Sequence, residues 1–195
     1  GTAGGNGVTN NFFYEEFPMV QFLEANGYDV SYFTDVDADR NGSLILNHRL
    51  YMDAGHDEYW SGNQFANVTA ARDAGVNLAF FSGNEVFWKT RWEPSIDGSA
   101  TPNRTLVSYK ETHAGAKIDP SPEWTGTWRD PRFSPPADGG RPEQSLTGTF
   151  FKVNGERADT IQVPAADGKM RFWRNTSVAS LPPSRISRVS QAANQ

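Results

Sequence analysis

The densest group of chemically capable side chains is Gly55-His56-Asp57-Glu58-Tyr59-Trp60, where an imidazole, two carboxyls and a phenol fall within four consecutive residues. Such a set can supply metal ligands or a general acid and base. It can equally be a loop leading into a helix, its acids complementing the positive end of the helix dipole. Two further polar stretches, Thr34-Asp35-Val36-Asp37-Ala38-Asp39 and Ser82-Gly83-Asn84-Glu85, fall like the first just after a segment that reads as a strand. In an open parallel sheet the ligand crevice lies beyond the carboxyl ends of the strands, so the three stretches are expected on one side of the molecule. Asn84 and Glu85 gain weight because that topology brings their loop towards the middle one.

Other signals are weaker. Asp37-Ala38-Asp39-Arg40-Asn41-Gly42 imitates the start of a calcium loop, but the twelfth position is His48 rather than a bidentate glutamate, and a solvated turn explains the pattern as well. A three-histidine zinc site would need all of His48, His56 and His113. No G-x-S-x-G elbow occurs, and Ser82 lacks a histidine partner in the sequence, so serine hydrolysis is disfavoured. The six tryptophans could form a sugar-binding platform, yet a chain with few aliphatics must bury its rings, and most are expected in the core and its cap.

The elements that must position these residues follow from the pattern. Glu15-Glu16-Phe17-Pro18 opens a helix, Phe17, Val20 and Leu23 recur at helical spacing, and Asn26-Gly27 closes it. Tyr28 to Phe33 reads as a strand, Leu44 to Asn47 as a short helix and Arg49 to Ala54 as a second strand. Ser61 to Gln64 has capping-box spacing before a helix that Gly75 ends, and Val76 to Phe81 reads as a buried strand. Alternation of this kind predicts a parallel α/β sheet with covered faces. From Trp92 onward prolines, glycines and tryptophans crowd the chain. Thr147 to Val153, Thr160 to Val163 and Lys169 to Trp173 read as strands of a β-rich, aromatic cap, and Ser184 to Gln195 as a polar, patternless tail. The expected organisation is an α/β core over residues 1–92, a β-rich insertion or cap over 93–181 and a divergent tail over 182–195.

Composition narrows the function classes. The 195 residues include no cysteine, which excludes thiol nucleophiles, thiolate metal sites and disulfides. A net charge of -5 with scattered Lys and Arg lacks the basic footprint of a nucleic-acid binder. No run of about 18 apolar residues occurs, so no membrane span is expected. Low Lys and Glu content and several Asn-x-Ser/Thr triplets favour a secreted over a cytoplasmic setting.

Several segments together resemble one family. Phe13-Tyr14-Glu15-Glu16-Phe17-Pro18, the stretch Leu23 to Tyr32, Gly55 to Ser61, Ala71 to Ser82 and Arg171 to Thr176 are similar to the C-terminal domain of the N,N-dimethylformamidase large (beta) subunit, from about Phe12 to Leu181. The resemblance implies a class I glutamine-amidotransferase-like (flavodoxin-like) α/β fold without its cysteine nucleophile. It also implies hydrolysis of the C–N bond of a small amide at an iron held by two tyrosines and one glutamate. Glu58 would be the carboxylate ligand to Fe(III), His56 a neighbour that assists proton transfer or orients water, and Asn84 a donor to the amide oxygen. A small subunit and a homo-oligomer are the implied partners. The tyrosine ligands and a leading strand are expected upstream of Gly1, which leaves the metal set incomplete. Tyr14, Tyr28, Tyr32, Tyr51, Tyr59 and Tyr109 remain, and nothing in their spacing nominates two of them. The alternative is a non-catalytic binding or scaffold domain, glycan-binding for instance, within a larger secreted protein.

Overall fold

The computed structural model describes residues 12–132, 141–149, 151–152, 160–182 and 185–190. By its internal contacts the chain forms two units, Gly1–Lys152 and Val153–Gln195.

The first unit opens with a π-turn, Phe12–Glu16, that runs into helix α1, Phe17–Ala25, with Pro18 in the first turn, where its missing N–H costs nothing. Asn26-Gly27 ends α1: the Gly27 amide donates to Glu24 O and the Tyr28 amide to Leu23 O, the paired bonds of a Schellman cap. The cap explains the first departure from the expected pattern. Tyr28 to Phe33 forms no strand, because its polar groups are used locally: the Tyr28 amide in the cap, the Tyr32 hydroxyl on Glu24 at 2.6 Å, and Ser31 against His48 at 2.8 Å. Tyr28 and Tyr32 stay exposed, so the alternation does not mark a buried face.

Helix α2, Asp35–Arg40, carries a reciprocal capping box in which Thr34 Oγ1 accepts from the Asp37 amide and Asp37 accepts from the Thr34 amide. Asp37 is therefore a capping carboxylate, which removes the calcium-loop pattern its position suggests. A 3-10 turn, Gly42–Asn47, leads to strand β1, Leu50–Gly55. After the short strand β2, Tyr59–Ser61, helix α3 spans Gly62–Asp73. Ser61 Oγ caps it by accepting from the Gln64 amide, while the Gln64 side chain donates to Asp35 instead of closing the box. Gly75, at φ 99°, ends α3 with a second Schellman pair, Gly75 to Arg72 and Val76 to Ala71.

Strand β3, Asn77–Ser82, pairs parallel with β1 in the register Leu50 to Asn77 through Gly55 to Ser82. The β1–α3–β3 run is thus a βαβ unit. Strand β4, Trp88–Glu93, pairs parallel with β2 and antiparallel with β5, Thr105–Val107, so the largest sheet among the described residues has three strands. One face of β1 and β3 turns Tyr51, Leu78 and Phe80 onto a core of Ile45, Trp60, Phe65, Val68, Ala71, Val76, Val86, Trp124, Trp128 and Leu146. Phe65, Val68 and Ala71 recur at helical spacing, which is why α3 buries that side. Trp60, Trp88, Trp124 and Trp128 are all buried, so the rings do build core rather than an open platform. Short helices α4, Glu111–Ala114, and α5, Gln144–Thr147, complete the unit.

In the second unit β6, Thr160–Pro164, pairs antiparallel with β7, Ile186–Ser190, a strand that the tail's polar composition hid. Lys169 to Trp173 winds into 3-10 turns rather than a strand, and Thr147 closes a helix instead of opening one. Of the strand expected over Thr147 to Val153, Thr147 lies in α5, Gly148, Thr149, Phe151 and Lys152 lie in no strand, and Phe150 and Val153 lie outside the described residues, as do Asn154-Gly155, Ser134 to Gly140 and the residues before Phe12 or after Ser190.

Candidate functional site

The carboxyl ends of β1 and β3 carry two polar clusters. The first is a nest of acids. Asp53 projects from β1, Asp57 follows two residues beyond the strand, and Asp35 lies in the first turn of α2. Asp35 Oδ1 accepts from Gln64 Nε2 at 2.9 Å. Gly55 sits at φ 96°, and a Cβ there would come within 2.6 Å of Glu16 Cγ, so the glycine admits the Glu16 side chain over the strand end. Burial first, and then the charges of Glu85, Asp35 and Glu16, push the Asp53 carboxyl up to about 8. Burial and the charges of Asp53 and Asp35 push Asp57 up to about 9, although the Trp60 indole opposes the shift. Asp35 is raised by burial, against hydrogen bonds from Gln64 and Asp57. Asp53 Oδ2 is buried and has no hydrogen-bond partner among the described residues, as expected of a group that is neutral near pH 7.

The second cluster lies one residue further on. The chain at Asp57 and Glu58 is stitched to the end of the next loop: the Val86 amide donates to Asp57 O, and the Phe87 and Trp88 amides both donate to Glu58 O. Val86, buried and β-branched, holds φ 54°, a conformation that such a side chain seldom adopts. That tight turn carries Asn84 to Glu58, and Asn84 Nδ2 donates to Glu58 Oε2. Both residues are half-buried. Tyr59 points its hydroxyl the same way. Burial and then a hydrogen bond to Glu58 raise its pKa, while the Lys110 ammonium, 2.7 Å from the hydroxyl oxygen, opposes the rise.

The residues expected at the site therefore fall out unequally. Glu58 and Asn84 are in contact. His56 is exposed, and its ring makes no hydrogen bond among the described residues, so the structure does not join it to the pair. The sequence counts the Tyr59 phenol in the polar stretch without giving it a role, and Lys110 lies 51 residues further along, beyond any spacing rule. A groove of about 380 Å³ lined by Pro18, Met19, Phe22, Ala54 and Phe81 opens on the other face of β1 and β3 and is apolar.

Carboxylate and phenol oxygens are the donors that Fe(III) prefers. The phenol here is already held by an ammonium, and among the described residues no group of three or more His, Asp or Glu is placed to hold a metal ion. The donors gathered at Glu58 do not make up the two-tyrosine, one-glutamate iron site that the resemblance implies. What the cluster offers is a carboxylate oriented by an amide, chemistry suited to accepting a proton from water and donating to a carbonyl oxygen. Among the described residues no helix is long and apolar enough to cross a membrane.

Compared with known proteins, the chain matches over residues 2–190 the family described as N,N-dimethylformamidase beta subunit-like, C-terminal. No curated protein matches it.

Proposed function

We propose, since the chain belongs to the N,N-dimethylformamidase beta subunit-like C-terminal family, that it serves hydrolysis of the C–N bond of a small amide through Glu58 and Asn84. The observation that carries this reading is the hydrogen bond from Asn84 to Glu58, which couples the two polar loops at the carboxyl ends of β1 and β3. Glu58 takes a proton from a water molecule as the water oxygen bonds to the carbonyl carbon. Asn84 has two N–H groups and so can orient Glu58 while meeting the carbonyl oxygen, which gains negative charge at that step. When the C–N bond breaks, the proton on Glu58 passes to the departing amine, and an acid and an amine leave. The resemblance implies iron, with Glu58 as its carboxylate ligand, and such an ion would polarise the amide carbonyl; the donors at Glu58 among the described residues do not complete its implied ligand set, so no step is routed through it.

The parallel β1–α3–β3 unit with polar groups at its carboxyl ends supports the glutamine-amidotransferase-like reading of the fold. The family's description as beta subunit-like supports a place in a multi-subunit assembly.

The test is turnover of dimethylformamide and formamide, followed by release of amine and formate, with and without added iron. Glu58→Gln is expected to lower kcat by roughly a hundredfold or more, and Asn84→Ala by a similar order, as for loss of an oxyanion donor. A Glu58→Gln variant as active as the unmodified chain would remove the assignment. Saturable glycan binding without turnover of either amide would favour a binding domain instead.

A further inference from the structure

The connection between β4 and β5, residues 94–104, is fastened to itself. The Ser95 amide donates to Thr101 O at 2.8 Å and the Arg104 amide to Glu93 O at 3.0 Å. The Ser95, Ser99 and Thr101 hydroxyls form a chain with links of 2.6 and 2.9 Å. Asn103 holds φ 56°, in the left-handed region that asparagine tolerates better than most residues, and turns the chain between Pro102 and Arg104. This order sets Thr101, Asn103 and Arg104 opposite α2, where with Thr34 and Arg40 they line a pocket of about 480 Å³. That volume lies within the range of small-molecule sites.

The charges at this pocket are unevenly satisfied. In the first unit Arg72, Arg91, Arg129 and Arg132 each pair with a carboxylate. The side chains of Arg40 and Arg104, both of which line the pocket, donate to no group among the described residues. The acids of α2 and of the β4–β5 connection are already engaged. Asp35 accepts from Gln64, Asp37 from the Thr34 amide and hydroxyl, Asp39 from the Ser61 hydroxyl and Asp97 from the Ser99 amide. Glu93, at the end of β4, accepts from Arg91. Hydrogen bonds from Thr34, and after them the Arg40 charge, hold Asp37 below the ordinary aspartate range, so Arg40 neighbours an ionised acid without bonding to it. No acid is among the residues that line the pocket. Two guanidiniums at one pocket repel each other, and a doubly charged anion between them turns that repulsion into attraction.

We propose that this pocket binds a phosphate monoester. Each guanidinium presents a planar fork of N–H donors that matches two phosphate oxygens, and two arginines balance the two charges that a monoester carries above its second pKa, near 6. The Thr101 hydroxyl and the Asn103 amide add donors. Val36 and Pro102 supply an apolar wall for the organic group of the ester, a contact that a bare phosphate ion does not make. The site uses neither Glu58 nor Asn84, and it stands whether or not the chain hydrolyses an amide.

The test is calorimetric titration of the full chain with phenyl phosphate, inorganic phosphate and benzoate, at constant ionic strength and about pH 7.5, where a monoester is a dianion. Phenyl phosphate is expected to bind saturably, inorganic phosphate roughly tenfold more weakly, and benzoate, with one charge, more weakly still. Arg40→Gln and Arg104→Gln are each expected to weaken phenyl phosphate binding by roughly tenfold or more. Arg104→Lys, which keeps the charge and loses the fork, is expected to fall between. Arg49→Gln, which removes an exposed arginine outside the pocket, is expected to change nothing. Arg40 and Arg104 are exposed as well, so the variants should fold, and their melting curves check it. Absence of saturable phenyl phosphate binding overturns the proposal, as does binding that Arg40→Gln and Arg104→Gln leave unchanged. Equal weakening by Arg49→Gln would mean attraction to net charge alone and overturns the site. Inorganic phosphate bound as tightly as phenyl phosphate overturns the ester as ligand, and benzoate bound as tightly overturns the phosphate.

Discussion

Three aspartates gathered at one strand end must keep protons or repel. The raised values of Asp53, about 8, and Asp57, about 9, mean that they keep protons. An unfolded aspartate titrates near 3.9. Between about pH 4 and pH 8 to 9 the folded chain therefore holds more protons than the unfolded one, and unfolding releases them. The slope of stability against pH is negative in that window: the contribution is intact below pH 4 and is lost as pH rises through 8 to 9. Asp53→Asn, which keeps the shape and removes the ionisation, should flatten the curve. Scanning calorimetry at pH 8 should show its melting temperature raised by at least roughly 3 °C, the worth of about 1 kcal/mol at this chain length. Parallel curves for the two proteins from pH 5 to 9 would show that Asp53 is not the buried acid described. At this scale the sequence made part of the site readable. That the loops of Glu58 and Asn84 meet followed from alternation of helix and strand. The raised carboxyls did not, because Asp35 is brought to that strand end by the capping of α2 and the hydrogen bond from Gln64. His56 shows the converse: its type and position nominate it, and an exposed rotamer takes it away from the pair.

Helix ends were the most legible elements, since caps are local chemistry. Asn26-Gly27, Gly75 and Ser61 all act where the residue types place them. The exception teaches the mechanism. Asp37 begins the calcium-loop pattern Asp37 to Gly42 and also stands three residues after Thr34, as a capping box requires, and the box is what forms, at the start of α2. Thr34→Ala removes the acceptor for the Asp37 amide and should cost about 1 kcal/mol, read as a lower urea midpoint at unchanged m. A midpoint within error of the unmodified chain would mean that α2 holds by its packing on α3 alone. The Tyr28 to Phe33 segment was illegible for a different reason. Strand propensity describes residues that suit a ladder, and a ladder requires a partner strand that local sequence does not supply. The 3-10 turns at Asp167–Lys169 and Arg171–Trp173 misled in the same way.

At the scale of the whole molecule the question is how a chain only 37% hydrophobic fills an interior. Large rings fill part of it, as the aromatic count suggests. The stretch from Trp88 to Asp130 fills the rest with charge. Arg91, 9% exposed, donates to both carboxylate oxygens of Asp119, whose side chain is fully buried, and to Glu123 O. Asp119 also accepts from the Ser121 amide and the Thr125 hydroxyl. Burial pulls its pKa up, but these bonds, Arg91's first among them, outweigh it and keep the group ionised below the ordinary aspartate range. The pairing spans 28 residues with little regular structure between, which is why neither periodicity nor spacing announced it. Removing one partner leaves the other charge buried, so Asp119→Ala should destabilise the first unit by about 3–5 kcal/mol. The double replacement Arg91→Met with Asp119→Leu removes both charges, and it should recover most of the stability, since well-packed apolar groups often equal a buried pair. Denaturant unfolding of the three proteins decides the matter. If the double variant is no better than Asp119→Ala, the pair contributes through the hydrogen bonds of Asp119 to the Ser121 and Thr125 loop rather than through charge balance. The stretch after β4 would then owe its order to that loop.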